Sequence, residues 1–482
     1  MKRMEKDVVV VGSGVAGLAA ALTAAEGGAS VVVLEKQPSL GGTSNFFEGI
    51  FAVESEMQRE RYITYSRDEA FKNIMEYSHW KANARLVRAF VDESAGTISW
   101  LKRQGVEFSD VTINMPYAPR TYHVVKGTGA AVVRTLATKA RERAVEILVS
   151  TAGKRILKTG GIVQGVVADS DGEEFEIRAR AVVVASGGYA NNADWIRKYA
   201  GFDLGVNIFP VGNVGKMGDG IRMALEAGAA DEGLGVLEVF RVGPFGPDYP
   251  LKNHIEMVAV QPLLWVSPKG ERFCDEGIAF YDTSVGNANA RFKEGYSYSL
   301  FDDAIVQHYL EHGIDRNVGI DNLPGTRPRN FYRELEAVLS RDQRDVFAAD
   351  TLEELASKTG MDANLLKATV EEYNHFCEKG HDDLFAKERR YLIPVKGPRY
   401  YAVKAKTVFL GTLGGIKINH RAEVIDKNGR VIPGLYAAGY DAGGMWGDSY
   451  CIRHSSGASA GFAINSGRIA GKSLLRYLGK AP

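Results

Sequence analysis

The stretch "DVVVVGSGVAGLAAALTAAEGGASVVVLEK", residues 7–36, reads as a strand, a glycine turn, an alanine-rich helix and a second strand. Both strands are continuous apolar runs without alternation, the pattern of strands buried on both faces in a parallel sheet. Gly12, Gly14 and Gly17 form GxGxxG at the junction of strand and helix. The first glycine permits a tight turn, the second lets a pyrophosphate approach the backbone, and the third allows close helix packing. The helix N-terminus they open favours an anion, and Val15 and Ala16 lie inside the fingerprint. Glu35 ends the second strand, followed by Lys36, where a carboxylate accepts from a ribose hydroxyl. Together these features indicate a bound dinucleotide. A glycine turn buried in a core leaves the position of Glu35 unexplained.

Composition narrows the class. Lys plus Arg number 59 and Asp plus Glu number 59, so nothing recruits a polyanion such as nucleic acid or an anionic membrane. The N-terminus imitates a signal peptide, being basic, then apolar, then alanine-rich, but Glu5 and Asp7 interrupt the basic part. No apolar run of about 18 residues occurs elsewhere, so a soluble, cytoplasmic protein is expected. Cys274, Cys377 and Cys451 are far apart and form no CxxC. That spacing argues against a disulfide framework, a c-type haem or a cysteine-ligated cluster, and no metal is expected.

The 482 residues suggest two or three domains. Residues 68–106 carry a helical pattern that stops at Gly105, and residues 159–188 read as a strand meander with an Asp-Gly turn. "MGDGIRMALEAGA" opens another small-residue helix, and "GASAGFAINSGRIAGKSLLRYL" closes the chain with one more. From about 236 to 398 the texture changes to more aromatics and amphipathic helices such as "DTLEELASKTG" and "ANLLKATVEEYNHF". The expected organisation is a nucleotide-binding domain from 1–235 and 399–482, with 236–398 inserted.

Glycine elements set the length of the ligand. "EKQPSLGGTSN" places Gly41, Gly42, Thr43 and Ser44 where backbone donors and hydroxyls reach a second stretch of phosphate. "AVVVASGG" contributes Ala185, Ser186, Gly187 and Gly188, and "GLYAAGYDAGG" contributes Gly439 and Asp441. Gly153, Asp219 and Ser459 complete the expected contacts. So many glycine elements suit an extended cofactor such as FAD.

In order and spacing, the fingerprint with Glu35, the GGTS turn, "ASGG", "MGDG", "GERFCDE", "YSLFDD", "GTLGG", "PGLYAAGYDAGG" and "NSGRIAG" span the whole chain. In this it resembles the FAD-binding family of soluble fumarate reductases, urocanate reductases and 3-ketosteroid dehydrogenases. The resemblance implies an α/β fold: a Rossmann-like FAD-binding domain of the GR2 flavoprotein type with an inserted α+β cap. It also implies non-covalent FAD, because "GGTSNFFEGIF" lacks the histidine of covalently flavinylated relatives. Without haem-binding cysteines, electrons come from or go to a separate partner.

The resemblance further implies hydride transfer from flavin N5 to one alkene carbon and protonation of the other by an arginine in "GERFCDE", which is Arg272. Read locally, Arg272 is an ordinary solvated turn charge. The family's upstream relay carboxylate matches Glu256, but the relay arginine three residues later is Ala259 here. The carboxylate clamps of fumarate reductases are also altered: "EVFRVGP" offers only Arg241, "FLGTLGG" has no histidine, and "GDSYCIRHSSG" carries Arg453 and His454. Ketosteroid dehydrogenases polarise a ring ketone with a tyrosine and a glycine amide in this last loop, parts that Tyr450 and Gly457 match, with Tyr281 a second substrate-side candidate. Each tyrosine is equally a half-buried aromatic with a satisfied hydroxyl. The expected activity is reduction of a C=C bond beside a carbonyl or carboxyl in a cyclic enone or bulky enoate. The alternatives are a steroid-type dehydrogenase working oxidatively and a flavin-binding regulatory protein without turnover.

Overall fold

The computed structural model describes residues 3–113, 115, 117–319, 321–341 and 345–481, with Asp282 described by its backbone alone. The chain forms two compact units: Met1–Gly201 with Pro210–Glu238 and Leu410–Pro482, and Phe202–Phe209 with Val239–Phe409.

The first unit is built on a mixed sheet whose central strands, in spatial order, are Val431–Ala437, Glu173–Val184, Arg3–Val11, Val31–Leu34 and Glu146–Leu148. All four pairings among these strands are parallel. Val8, Val9 and Val10 are fully buried at the centre, as an unbroken apolar strand with covered faces requires. The antiparallel meander joins along Glu173–Val184, and its hairpin turns at Asp171 and Gly172, both with left-handed φ of 53° and 83°.

The helix after the glycine turn, Val15–Glu26, packs against the C-terminal helix Ala458–Tyr477. Their backbones approach so closely that a Cβ on Gly467 would stand 2.1 Å from the Ala16 carbonyl oxygen. The expected helical stretch 68–106 is two helices, Arg67–Tyr77 and Ala84–Gln104. The break falls at His79 and Trp80, whose left-handed φ values of 52° and 58° cannot continue a helix. The second helix stops at left-handed Gly105, as anticipated.

The second unit holds an antiparallel sheet in which Tyr296–Asp302 lies between Leu264–Val266 and Tyr400–Thr412. The helices Leu352–Thr359 and Ala363–Lys379 each end at a left-handed glycine, Gly360 and Gly380. Buried rings of Tyr298, Phe301, Tyr309, Phe331, Tyr373 and Tyr401 belong to its core, which accounts for the aromatic texture of this segment. Among the described residues no helix is long and apolar enough to cross a membrane.

Gly467→Ala is expected to force the two terminal helices apart. Overpacking of this kind costs about 1–3 kcal/mol. A lowered thermal midpoint is the expected reading, and an unchanged midpoint would show that the contact yields freely.

Candidate active site

The nucleotide cradle lies wholly in the first unit. Gly12 follows the first strand with φ 109°, donates to Leu34 O at 2.8 Å, and sits so near the next turn that a Cβ would meet Ala185 O at 2.2 Å. A Cβ on Gly17 would meet Gly12 O at 2.0 Å, so both positions require glycine. The helix starting at Val15 has no side-chain cap at Gly14 and no acid in its first turn. An uncapped N-terminus of this kind is suited to an anion. Val15 N donates to Ser44 Oγ at 3.1 Å, tying the GGTS turn to the fingerprint.

Glu35 accepts from Ser13 N at 3.1 Å, Ser13 Oγ at 2.6 Å and Gln37 N at 2.8 Å, which fixes the carboxylate at the strand end. Gly41 N donates to the same Ser13 hydroxyl, and Gly42–Asn45 forms a short 3-10 turn. Thr43 Oγ1 bonds Gly212 O and Asn213 Oδ1, and Lys36 Nζ pairs with Asp219 Oδ2 at 2.5 Å. Gly153 faces the first strand, where a Cβ would stand 3.0 Å from Val11 Cγ1.

Asp441 links the other two glycine elements. Its fully buried carboxylate accepts from Ser186 N, from Ser186 Oγ at 2.8 Å and from Gly188 N at 2.8 Å. Burial pushes its pKa up, and these hydrogen bonds pull against that. Gly187 and Gly188 are left-handed, with φ 93° and 81°, and Gly439 N is held by Ser466 Oγ at 2.9 Å. An uncapped helix N-terminus, a fixed strand-end carboxylate and open glycine turns together fit an extended dinucleotide.

Also in this unit lies a cluster that the sequence showed only in part. Tyr440 Oη donates to Glu238 Oε2 at 2.9 Å, and Ser459 Oγ stands 2.5 Å from Tyr440 Oη and 3.1 Å from Glu238 Oε2. Tyr450 Oη accepts from Ser459 N at 3.4 Å. Burial first, and Glu238 second, raise both phenols well above their ordinary pKa. Tyr450 was expected on the substrate side and Ser459 as a cofactor contact; Tyr440 and Glu238 were not anticipated. Both stand within quoted motifs, but 202 residues separate them, and no local periodicity links such a pair.

The remaining loop residues are distributed differently. Gly457 is left-handed at φ 82°, and its carbonyl accepts from Phe51 N at 3.0 Å, so a Cβ there would clash with backbone. The His454 ring lies 6.4 Å from that of Tyr77, and burial, then Arg453, lowers its pKa. Arg453 is exposed.

In the second unit the structure corrects the local reading of Arg272 as a solvated charge. Arg272 does not project from a solvated turn. Its side chain is 2% exposed; Nε and Nη2 bond the two oxygens of Glu276 at 2.8 and 2.7 Å, and Nη2 also bonds Asp382 at 2.7 Å. Lys387 joins through Glu276 at 3.2 Å and Tyr373 Oη at 2.9 Å, which makes a buried cluster of two cations and two carboxylates. Burial alone lowers the Arg272 pKa, but Glu276 and Asp382 outweigh it and hold the guanidinium above its ordinary value. The clamp engages Nε and Nη2 alone, and Nη1 has no partner among the described residues.

Glu256 makes no hydrogen bond to Arg272. The Glu256 carboxylate accepts from Lys252 N at 2.8 Å, and both carboxylates on Arg272 come from elsewhere. Burial pushes Glu256 up to about 7. Tyr281 is half-buried at the end of the 3-10 turn Glu276–Phe280. Arg241 is 3% exposed, bonded by Ser297 Oγ and Ser299 Oγ at 2.9 Å each and stacked 4.1 Å over Trp265. Its Nη1 has no partner among the described residues, and burial lowers its pKa to about 9.

Fold and cradle define a flavoprotein, and comparison with known proteins gives its class. The FAD binding domain family matches residues 7–449, and the chain belongs to it. It is an FAD-dependent oxidoreductase acting on CH–CH bonds. The vinyl phenol reductase of Lactiplantibacillus plantarum is 36% identical over 98% of this chain and 96% of its own length. The NADH:fumarate oxidoreductase of Klebsiella pneumoniae is 30% identical over 92% of the chain, which spans 45% of that protein. Among solved structures, the 3-ketosteroid Δ4-(5α)-dehydrogenase of Rhodococcus jostii aligns with a TM-score of 0.77 and 25% identity, covering 98% of this chain and 97% of that one.

Two outcomes follow from these placements. Arg272→Ala leaves Glu276 and Asp382 buried without their guanidinium, a loss worth about 3–5 kcal/mol in comparable buried pairs. Thermal melting should show that loss, whereas unaltered melting would release Arg272 from a structural role. The Glu256 carboxyl has its pKa raised from 4.5 to about 7, so its contribution is full below pH 4.5 and is lost as pH rises through about 7. Glu256→Gln should therefore gain stability relative to the unsubstituted protein across that window, measured by denaturant midpoints. Parallel pH profiles would refute this assignment.

Proposed function

We propose that the chain is an ene-reductase for an alkene conjugated to a ring ketone or a phenol. In this reading the first compact unit is the flavin domain and the second is a substrate cap. FAD bound in the cradle supplies the hydride. The chain then has to hold the alkene and deliver a proton to the carbon that does not receive the hydride.

The observation that carries this reading is the Tyr440–Glu238–Ser459–Tyr450 cluster. Two phenols with raised pKa values stay protonated at neutral pH and can donate a proton to a basic carbanion-like centre. Glu238 and Ser459, hydrogen-bonded to Tyr440, offer a route for its reprotonation. A carboxylate in the cluster disfavours a dicarboxylate substrate, where a fumarate reductase needs cationic clamps. It suits a substrate whose own polar group is a ketone or a phenolic hydroxyl. The likeness to a vinyl phenol reductase supports the phenolic option. In the second unit, Arg241 and Arg272 each carry an Nη1 without a partner among the described residues. The electron donor is a separate molecule, and the setting is cytoplasmic.

Anaerobic reoxidation of dye-reduced enzyme by 4-vinylphenol, a cyclic enone and fumarate tests the assignment. Losing a charged partner in a desolvated site costs roughly 2–5 kcal/mol. Fumarate should therefore be slower than the best neutral alkene by at least about 30-fold. Comparable rates with fumarate would contradict the proposal. Rapid flavin reduction by saturated ketones, with no reoxidation by any alkene, would place the enzyme in the oxidative direction instead.

A further inference from the structure

In "NVGKMGDG", residues 213–220, Lys216 was not among the expected cofactor contacts. Its backbone is pinned on both sides by one residue: Lys216 N donates to Asn191 Oδ1 at 2.8 Å, and Asn191 N donates to Lys216 O at 2.9 Å. From this anchor the side chain runs into the nucleotide cradle. A Cβ on Gly187 would stand 2.2 Å from Lys216 Nζ, and one on Gly42 would stand 3.3 Å from it. The ammonium therefore occupies the space that these two left-handed glycines leave open.

Every carboxylate near it is already engaged. Asp441 holds Ser186 and Gly188, Glu35 holds Ser13 and Gln37, and Asp219 holds Lys36. Burial lowers the Lys216 pKa, while Asp441 and Glu35 oppose that at longer range and Lys36 adds to it. Its Nζ makes no hydrogen bond or ion pair with any described residue. A half-buried ammonium in a cradle without a protein partner is left open to an anion from outside the chain. The uncapped helix N-terminus at Gly14 belongs to the same cradle and favours the same charge.

We infer that Lys216 is the side-chain counter-charge for the diphosphate of the bound FAD. Lys36 cannot take this part because Asp219 already neutralises it. An ammonium on a phosphate is a point-charge contact with freedom of angle, so arginine at the same place can substitute.

The test uses the purified holoprotein and binding alone. Equilibrium dialysis against decreasing FAD should give a dissociation constant about 10- to 100-fold higher for Lys216→Met, the size expected for a charge-assisted hydrogen bond. Lys216→Arg should stay within about three-fold of the original affinity. ADP should lose a similar factor as a displacer of FAD in the Met variant, while adenosine, which lacks phosphate, should displace as before. FAD and ADP constants within two-fold of the original would overturn the inference. So would equal weakening of ADP and adenosine, because that means damage to the adenosine pocket. If Lys216→Met does not fold, the same comparison with Lys216→Gln decides.

Discussion

The cradle depends on one buried carboxylate. Asp441 joins two turns 255 residues apart by accepting from Ser186 and from the amide of Gly188. Both turns follow neighbouring parallel strands, Glu173–Val184 and Val431–Ala437, so the carboxylate fixes two loops at the same end of one sheet. The glycines it organises are left-handed, a conformation other residues adopt at a cost, and the loop needs that tie to hold its shape. Burial disfavours the charge, and the hydrogen bonds from the loops offset part of that penalty.

Local sequence made most of this legible. Strand, glycine turn, helix and Glu35 fall within thirty consecutive residues, and their pattern states its own geometry. The left-handed stops at Gly105, Gly360 and Gly380 and the Asp171–Gly172 turn follow from local chemistry of the same kind. What did not show were pairings between distant segments. Arg272 sits in a polar-looking run, but its burial depends on Asp382, 110 residues away, and on the Tyr373 ring. Tyr440 and Glu238 were hidden for the same reason, and Lys216 because an isolated lysine in a glycine-rich loop usually reads as solvated.

Charge separates the two units by function. The cluster of Arg272, Glu276, Asp382 and Lys387 pairs two cations with two carboxylates, and only Nη1 of Arg272 is left without a partner among its nitrogens. Arg241 and Lys216 are the opposite case: each is a cation whose charged group lacks a direct carboxylate partner among the described residues. A cation left in that state implies a partner that the chain itself does not provide. The tyrosine cluster carries phenolic hydroxyls beside a carboxylate, which keeps them protonated.

The central claim is that the proton comes from the tyrosine cluster and not from Arg272. Single-turnover oxidation of prereduced flavin by an alkene substrate, in H2O and D2O, tests it most directly. Removing both hydroxyls, Tyr440→Phe with Tyr450→Phe, should slow the step by about 10²–10⁴-fold, the range typical of general acid catalysis, with flavin content unchanged. Arg272→Lys, where it folds, should keep the rate and the solvent isotope effect. An unaffected rate in the double tyrosine variant, with a collapse in well-folded Arg272→Lys, would contradict the account.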